Sequence, residues 1–213
     1  MEKEQKDTLL KIRSSRACIR DGYQLFTTQF RRIFRATWPL AIGFAIVSAV
    51  AKALPVLVSP TLLIPGVILE TLAVIILLIL TWRRLRKKDI LIKTGKIPFI
   101  VCISHIGMIL VVTLVCLIIV SILTMFAALP TIILMAANWE SQMGVINCDP
   151  VGMPSYMTWL SVITFLAIGF LQAYVWISVI CPLYLMRVSM AQQEQERENF
   201  NQKNHEESTI YRP

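Results

Sequence analysis

Three ionisable residues, Lys52, Glu70 and His105, lie within strongly apolar stretches of this sequence. Charge there is expensive, so such residues are candidates for proton or ion chemistry. Counted as helix, Lys52 stands ~21 Å beyond Trp38 and Glu70 ~18 Å before Trp82. Consecutive antiparallel helices would therefore hold them at similar depth. Pairing would relieve the burial cost of each. The same pair can translocate a proton or simply staple a helical hairpin, and Lys52 alone can snorkel outward. His105, ~10 Å past Pro98 on the same count, is either a proton carrier or a hydrogen-bonded bundle residue. Gln172, within the last apolar run, suits a hydrogen bond between helices.

Other chemistries lack their residues. No serine sits beside a base, no carboxylates are paired, and no glycine-rich phosphate loop occurs, so no catalytic residue is assigned. Cys18, Cys102, Cys116, Cys148 and Cys181 are far apart, which leaves no redox or zinc spacing. With His105 and His205 the only histidines, neither a metal site nor a cofactor is expected.

The elements that must position these residues are membrane spans. Of the 213 residues 56% are hydrophobic and only 16% charged, against about 25% charged in soluble domains. The apolar residues are bunched in runs rather than spread as stripes, as hydrocarbon demands. Four spans are expected, at about 38–54, 65–82, 98–129 and 159–186. They form an all-α membrane domain over 38–186, between an N-terminal segment 1–37 and a polar tail 187–213 expected to be solvated. Pro55, Pro60 and Pro65 predict a tight apolar turn between the first two spans. Pro130 predicts the end of the third, with Thr131–Ala137 as a separate surface piece. Pro182 predicts a kink near the end of the fourth. Ala49-Val50-Ala51 resembles a signal-peptide cleavage site, but the long basic segment before it argues against that reading.

All but one of the 21 lysines and arginines lie before Trp38, between Trp82 and Pro98, or after Met186; the exception is Lys52. That alternation predicts both termini in the cytoplasm. Residues 16–35 read as one basic amphipathic surface helix. Ile19, Tyr23, Phe26, Phe30 and Ile33 trace one face, with Arg16, Arg20, Arg31 and Arg35 beside it. Gly22 marks a possible bend. Together with Arg32, those arginines are candidate contacts for anionic lipid phosphates. So are Arg83, Arg84, Arg86, Lys87 and Lys88 in the second basic segment. The net charge of +8 is thus explained by topology and lipid, and nucleic acid is not an expected partner.

The segment "IRDGYQLFTTQFRRIFRATWPLAIG", Ile19 to Gly43, resembles the surface helix and first span of the membrane domain associated with bacterial glycerophosphodiester phosphodiesterases and related uncharacterised membrane proteins. Gly22, Tyr23, Leu25, Phe26 and Phe30 carry the likeness. The resemblance implies an accessory protein of the bacterial cytoplasmic (inner) membrane and transfers no catalytic residue. This chain shows fewer spans than that family, and its 213 residues include no phosphodiesterase domain.

Three functions are compatible with these residues. The first is a non-enzymatic accessory or scaffold protein that binds anionic lipid, a membrane complex or a second copy of itself. The second is a small oligomeric transporter or channel subunit using Glu70, Lys52 and His105. The third is a lipid-modifying membrane enzyme.

Overall fold

The computed structural model describes residues 13–57, 60–88, 105–146 and 156–210. Six α-helices run through them: α1 Ser15–Thr28, α2 Phe30–Leu57, α3 Leu63–Lys87, α4 Ile106–Ile146, α5 Tyr156–Ser178 and α6 Ile180–Ile210. A 3-10 turn, Pro60–Leu62, precedes α3, and no strand occurs among the described residues. Four apolar stretches, Phe30–Leu54, Leu63–Lys87, Ile106–Leu134 and Trp159–Arg197, are long enough to cross a bilayer. The protein is an all-α, multi-pass membrane protein. The 25 residues of α3 rise ~37 Å, which exceeds the ~30 Å hydrocarbon core. Ile68, Leu72, Ile75 and Ile79 on α3 are exposed. A contiguous apolar face of that kind is suited to lipid and unsuited to water.

Several boundaries differ from the sequence reading. Residues 16–35 do not form one helix: a turn at Gln29 ends α1, and Arg31, Arg32 and Arg35 open α2. The Thr27 hydroxyl donates to the Gln24 carbonyl, and the Thr28 hydroxyl to the Gln24 and Leu25 carbonyls. Such side-chain bonds compete with helix continuation. Helix α4 does not stop before Pro130; it runs unbroken through it to Ile146. Proline removes one backbone donor, but the helix-favouring residues on both sides keep the rest of the ladder, the only low-energy backbone in lipid. Its 41 residues rise ~61 Å, about twice one crossing. The expected start at Pro98 lies outside the described residues.

The fourth apolar stretch is divided by a turn at Val179. Pro182 has no N–H to give the Ser178 carbonyl, and the Ser178 hydroxyl bonds back to the Val175 carbonyl at 2.7 Å. Helix α5 alone, with 23 residues, rises ~34 Å and suffices to cross. The polar tail, expected to be solvated and to be helical only at its start, continues α6 to Ile210. Gln, Glu and Arg are good helix formers, and extending an established helix avoids nucleation.

The chain divides into two compact units. One contains α1, α4 as far as Leu117, and α6. Here Ser14 caps α1 by accepting from the Ala17 N–H at 3.4 Å. The Arg13 N–H donates to the Ser189 hydroxyl at 2.8 Å, which donates in turn to the Arg13 carbonyl at 3.1 Å. Cys18 and Gly22, one turn apart, are the buried residues of α1. Gly22 is a point of contact: a Cβ on it would stand 2.5 Å from the Pro182 Cα.

The other unit contains α2 from Arg31, α3, α4 from Ile118, and α5. At the arginine-bearing end of α2, Phe34 stacks on Tyr174 with ring centroids 5.3 Å apart, and Phe170 meets Tyr174 edge-on at 5.2 Å. These rings fasten α2 to α5. Further along, a stripe of small residues on α2 does the same.

Candidate functional site: an intramembrane polar lock

That stripe begins with Ala41, Ala45, Ser48 and Ala49, all buried. Gly169 of α5 packs directly on it, with its ideal Cβ position 3.0 Å from the Ala45 Cα and 3.3 Å from the Ser48 Cβ. Small residues allow backbones to approach this closely in lipid. Gln172 lies one turn along α5 from Gly169, and Lys52 lies four residues beyond Ser48 on α2. Their long side chains meet beside this contact.

The Lys52 ammonium meets three acceptors. Its Nζ lies 3.0 Å from Glu70 Oε1 on α3. It donates to Gln172 Oε1 at 2.6 Å and to the Ser48 hydroxyl at 2.8 Å. The Ser48 hydroxyl donates onward to Glu70 Oε1 at 3.2 Å. Two of these contacts are hydrogen bonds and the third is an ion pair. The cluster joins α2, α3 and α5, and its opposite charges offset one another. Ser48 and Gln172 are buried, while the Lys52 and Glu70 side chains keep 17% and 23% of their exposure. Breaking such a pair by removing one partner is more damaging than replacing both.

Lys52, Glu70 and Gln172 are thus brought together, and Ser48 and Gly169 complete the arrangement. Neither of the last two was singled out from the sequence. The available signal was their spacing, one helical turn from Lys52 and from Gln172. His105 does not join the cluster: it belongs to the other compact unit, in the turn immediately before α4, where its carbonyl accepts the Ile109 N–H at 3.1 Å. It opens the helix rather than lying well inside it.

The basic candidates occupy helix ends. Arg16 and Arg20 are exposed on α1, as are Arg31, Arg32 and Arg35 on the first turns of α2. Arg84, Arg86 and Lys87 close the last turn of α3, with Arg83 just before them. Cations there complement the negative end of the helix dipole. Lys88 is the C-cap, its N–H donating to the Arg84 carbonyl at 3.2 Å. Arg20 and the largely buried Arg13 both bond Asp21, at 3.1 Å each. Burial pushes the Asp21 carboxyl up, but these two guanidinium groups outweigh it and hold it below the usual carboxylate range. Burial likewise raises the Cys18 thiol to about 11, against a smaller lowering by Arg13 and a further raising by Asp21. Among the described residues, no three His, Cys, Asp or Glu side chains gather as metal ligands would.

No protein-family model, curated protein or solved structure matches this chain.

Proposed function

We propose that this protein is a non-enzymatic scaffold or accessory protein of the bacterial cytoplasmic membrane, with both termini cytoplasmic and its basic helix ends holding anionic lipid. The observation that carries this reading is the way Lys52 is held. Its ammonium hydrogen-bonds Ser48 and Gln172 and ion-pairs with Glu70, on three helices of the same unit, so the charge is used to hold those helices together. A carrier site needs a donor or acceptor to offer its cargo. The placement of Arg31, Arg32, Arg35, Arg83, Arg84, Arg86 and Lys87 at helix ends supports contact with an anionic leaflet. The likeness of Ile19–Gly43 to the phosphodiesterase-associated membrane domain points to the same kind of accessory role.

Purification in mild detergent followed by lipid analysis tests the lipid part. Phosphatidylglycerol should be retained by the native protein and depleted when Arg31, Arg32 and Arg35 are changed to glutamine. Equal retention would remove those arginines from lipid binding.

The residual exposure of Lys52 and Glu70 favours one alternative, a small oligomeric transporter or channel. Proton or ion flux in reconstituted vesicles separates the two. The scaffold reading predicts no flux above empty vesicles and no effect of Glu70→Gln; a flux that Glu70→Gln abolishes would establish transport.

A further inference from the structure

A groove of about 410 Å³ runs between α2 and α3, within the unit that holds the polar lock. Phe44 and Leu77, both buried, form its floor, and Leu72, Ile76 and Leu80 form an exposed wall. Its lining is almost wholly apolar. Gly43 opens the α2 side, for a Cβ there would meet no atom within 4 Å.

The Lys52–Glu70 contact fixes which end is which. Twelve residues from each, toward the basic ends, bring Leu40 of α2 level with Trp82 of α3. The groove therefore ends at Pro39, Leu40 and Leu80, and beyond that end the helices carry only cationic charge. Arg83 and Arg84 lie within one turn of Leu80, and Lys87 a further turn along the same face. Arg32 continues the groove-lining face of α2 on its own side. None of these four is buried.

From this apolar trough with a cationic mouth, we infer a binding site for one anionic phospholipid: an acyl chain fills the groove between α2 and α3, and the headgroup phosphate is held by Arg83 and Arg84, with Arg32 and Lys87 beside them. The inference rests on the anionic-lipid reading above and sharpens it from a general surface attraction to one seat. An exposed face alone takes any lipid that diffuses past. A groove with cationic donors at one end selects by headgroup. The run from Leu69 to Leu80 rises ~16 Å, about half of the hydrocarbon core and so within one leaflet. Guanidinium groups are the preferred partners of phosphate oxygens because their forked donors match that geometry.

The full-length protein, reconstituted with a phosphatidylglycerol carrying a photoactivatable diazirine on one acyl chain, tests this. Labelled residues should fall on α2 between Pro39 and Val47 and on α3 between Leu69 and Leu80. Unlabelled phosphatidylglycerol should compete and phosphatidylcholine should not. Gly43→Leu, whose Cβ has open space and whose longer side chain would occupy the groove, should reduce labelling by about tenfold, the loss of a binding free energy near 1.4 kcal/mol. Arg83→Gln with Arg84→Gln leaves the apolar lining intact and should reduce it as far. Equal competition by phosphatidylcholine, or label spread evenly over the exposed faces of α3 and α4 and unchanged in both variants, would overturn the site. The broader reading is decided separately by the phosphatidylglycerol retained on changing Arg31, Arg32 and Arg35.

Discussion

Gly169 of α5 stands so close to Ala45 of α2 that a Cβ on the glycine would lie 3.0 Å from both the Ala45 Cα and its carbonyl oxygen. The atoms it would meet are backbone, which cannot rotate aside. This contact holds α5 against α2 beside the place where the side chains of Gln172 and Lys52 meet.

Gly169→Ala should therefore destabilise the protein although alanine is the better helix former. Overpacking of this kind costs about 1–3 kcal/mol, more than the ~1 kcal/mol gained in helix propensity. Unfolding in mixed micelles measures the difference. Unchanged stability would mean that α2 and α5 are free to separate slightly, and that Gln172 is not held against Lys52.

The partners in this lock show what was legible in the sequence. Lys52 and Glu70 could be set at one depth because rise per residue and long apolar runs are both readable from residue types. Their third helical partner could not be, since it depends on which faces of α2 and α5 meet, and that is decided by Gly169, Ala45 and Ser48. Four spans were readable because hydrocarbon requires length and apolarity and little else. Helix ends were less so. Pro130 reads locally as a terminator, yet a lipid-compatible ladder on both sides carries α4 through it. Gln29 gives no local signal for the turn that separates α1 from α2. Gly22 reads as a weak point, and only the neighbouring Pro182 shows why a side chain is excluded.

Gly22→Leu should release α1 from α6, since even a Cβ there would lie 2.5 Å from the Pro182 Cα. Cys18 reports the release. Its thiol, raised by burial from an ordinary 9.0 to about 11, forms roughly a hundredfold less thiolate than an exposed cysteine. Alkylation at pH 8 should be slow in the native protein and faster by at least about tenfold in Gly22→Leu, with Cys102, Cys116, Cys148 and Cys181 replaced by serine to leave Cys18 as the reporter. Equal rates would place α1 away from α6.

Asp21 gives the same docking a pH dependence through Arg13, whose side chain it holds and whose backbone is bonded to Ser189 of α6. Its carboxyl is held low by Arg20 and Arg13 against the opposing effect of burial. The lowered value means that its stabilising effect is fully present above the ordinary carboxylate pKa of ~3.9 and fades as pH falls through the folded value. Docking of α1 should thus be constant from pH 8 to pH 5 and weaken below about pH 4. Hydrogen exchange of the α1 amides, corrected for intrinsic rates, reads this directly. Asp21→Asn should lower protection at neutral pH and remove the acid dependence. A variant with native protection at pH 7 would show that the two arginines contribute nothing through Asp21.

The central claim, that Lys52 and Glu70 are a structural lock, is tested most directly by a double-mutant cycle in lipid bilayers. Lys52→Met and Glu70→Leu should each destabilise the protein by up to about 3 kcal/mol, the lower end of the range for a broken buried pair because both side chains keep partial exposure. Combined, they should restore most of that loss, giving a coupling energy above about 1 kcal/mol. Additive losses, with no recovery in the double variant, would contradict the lock.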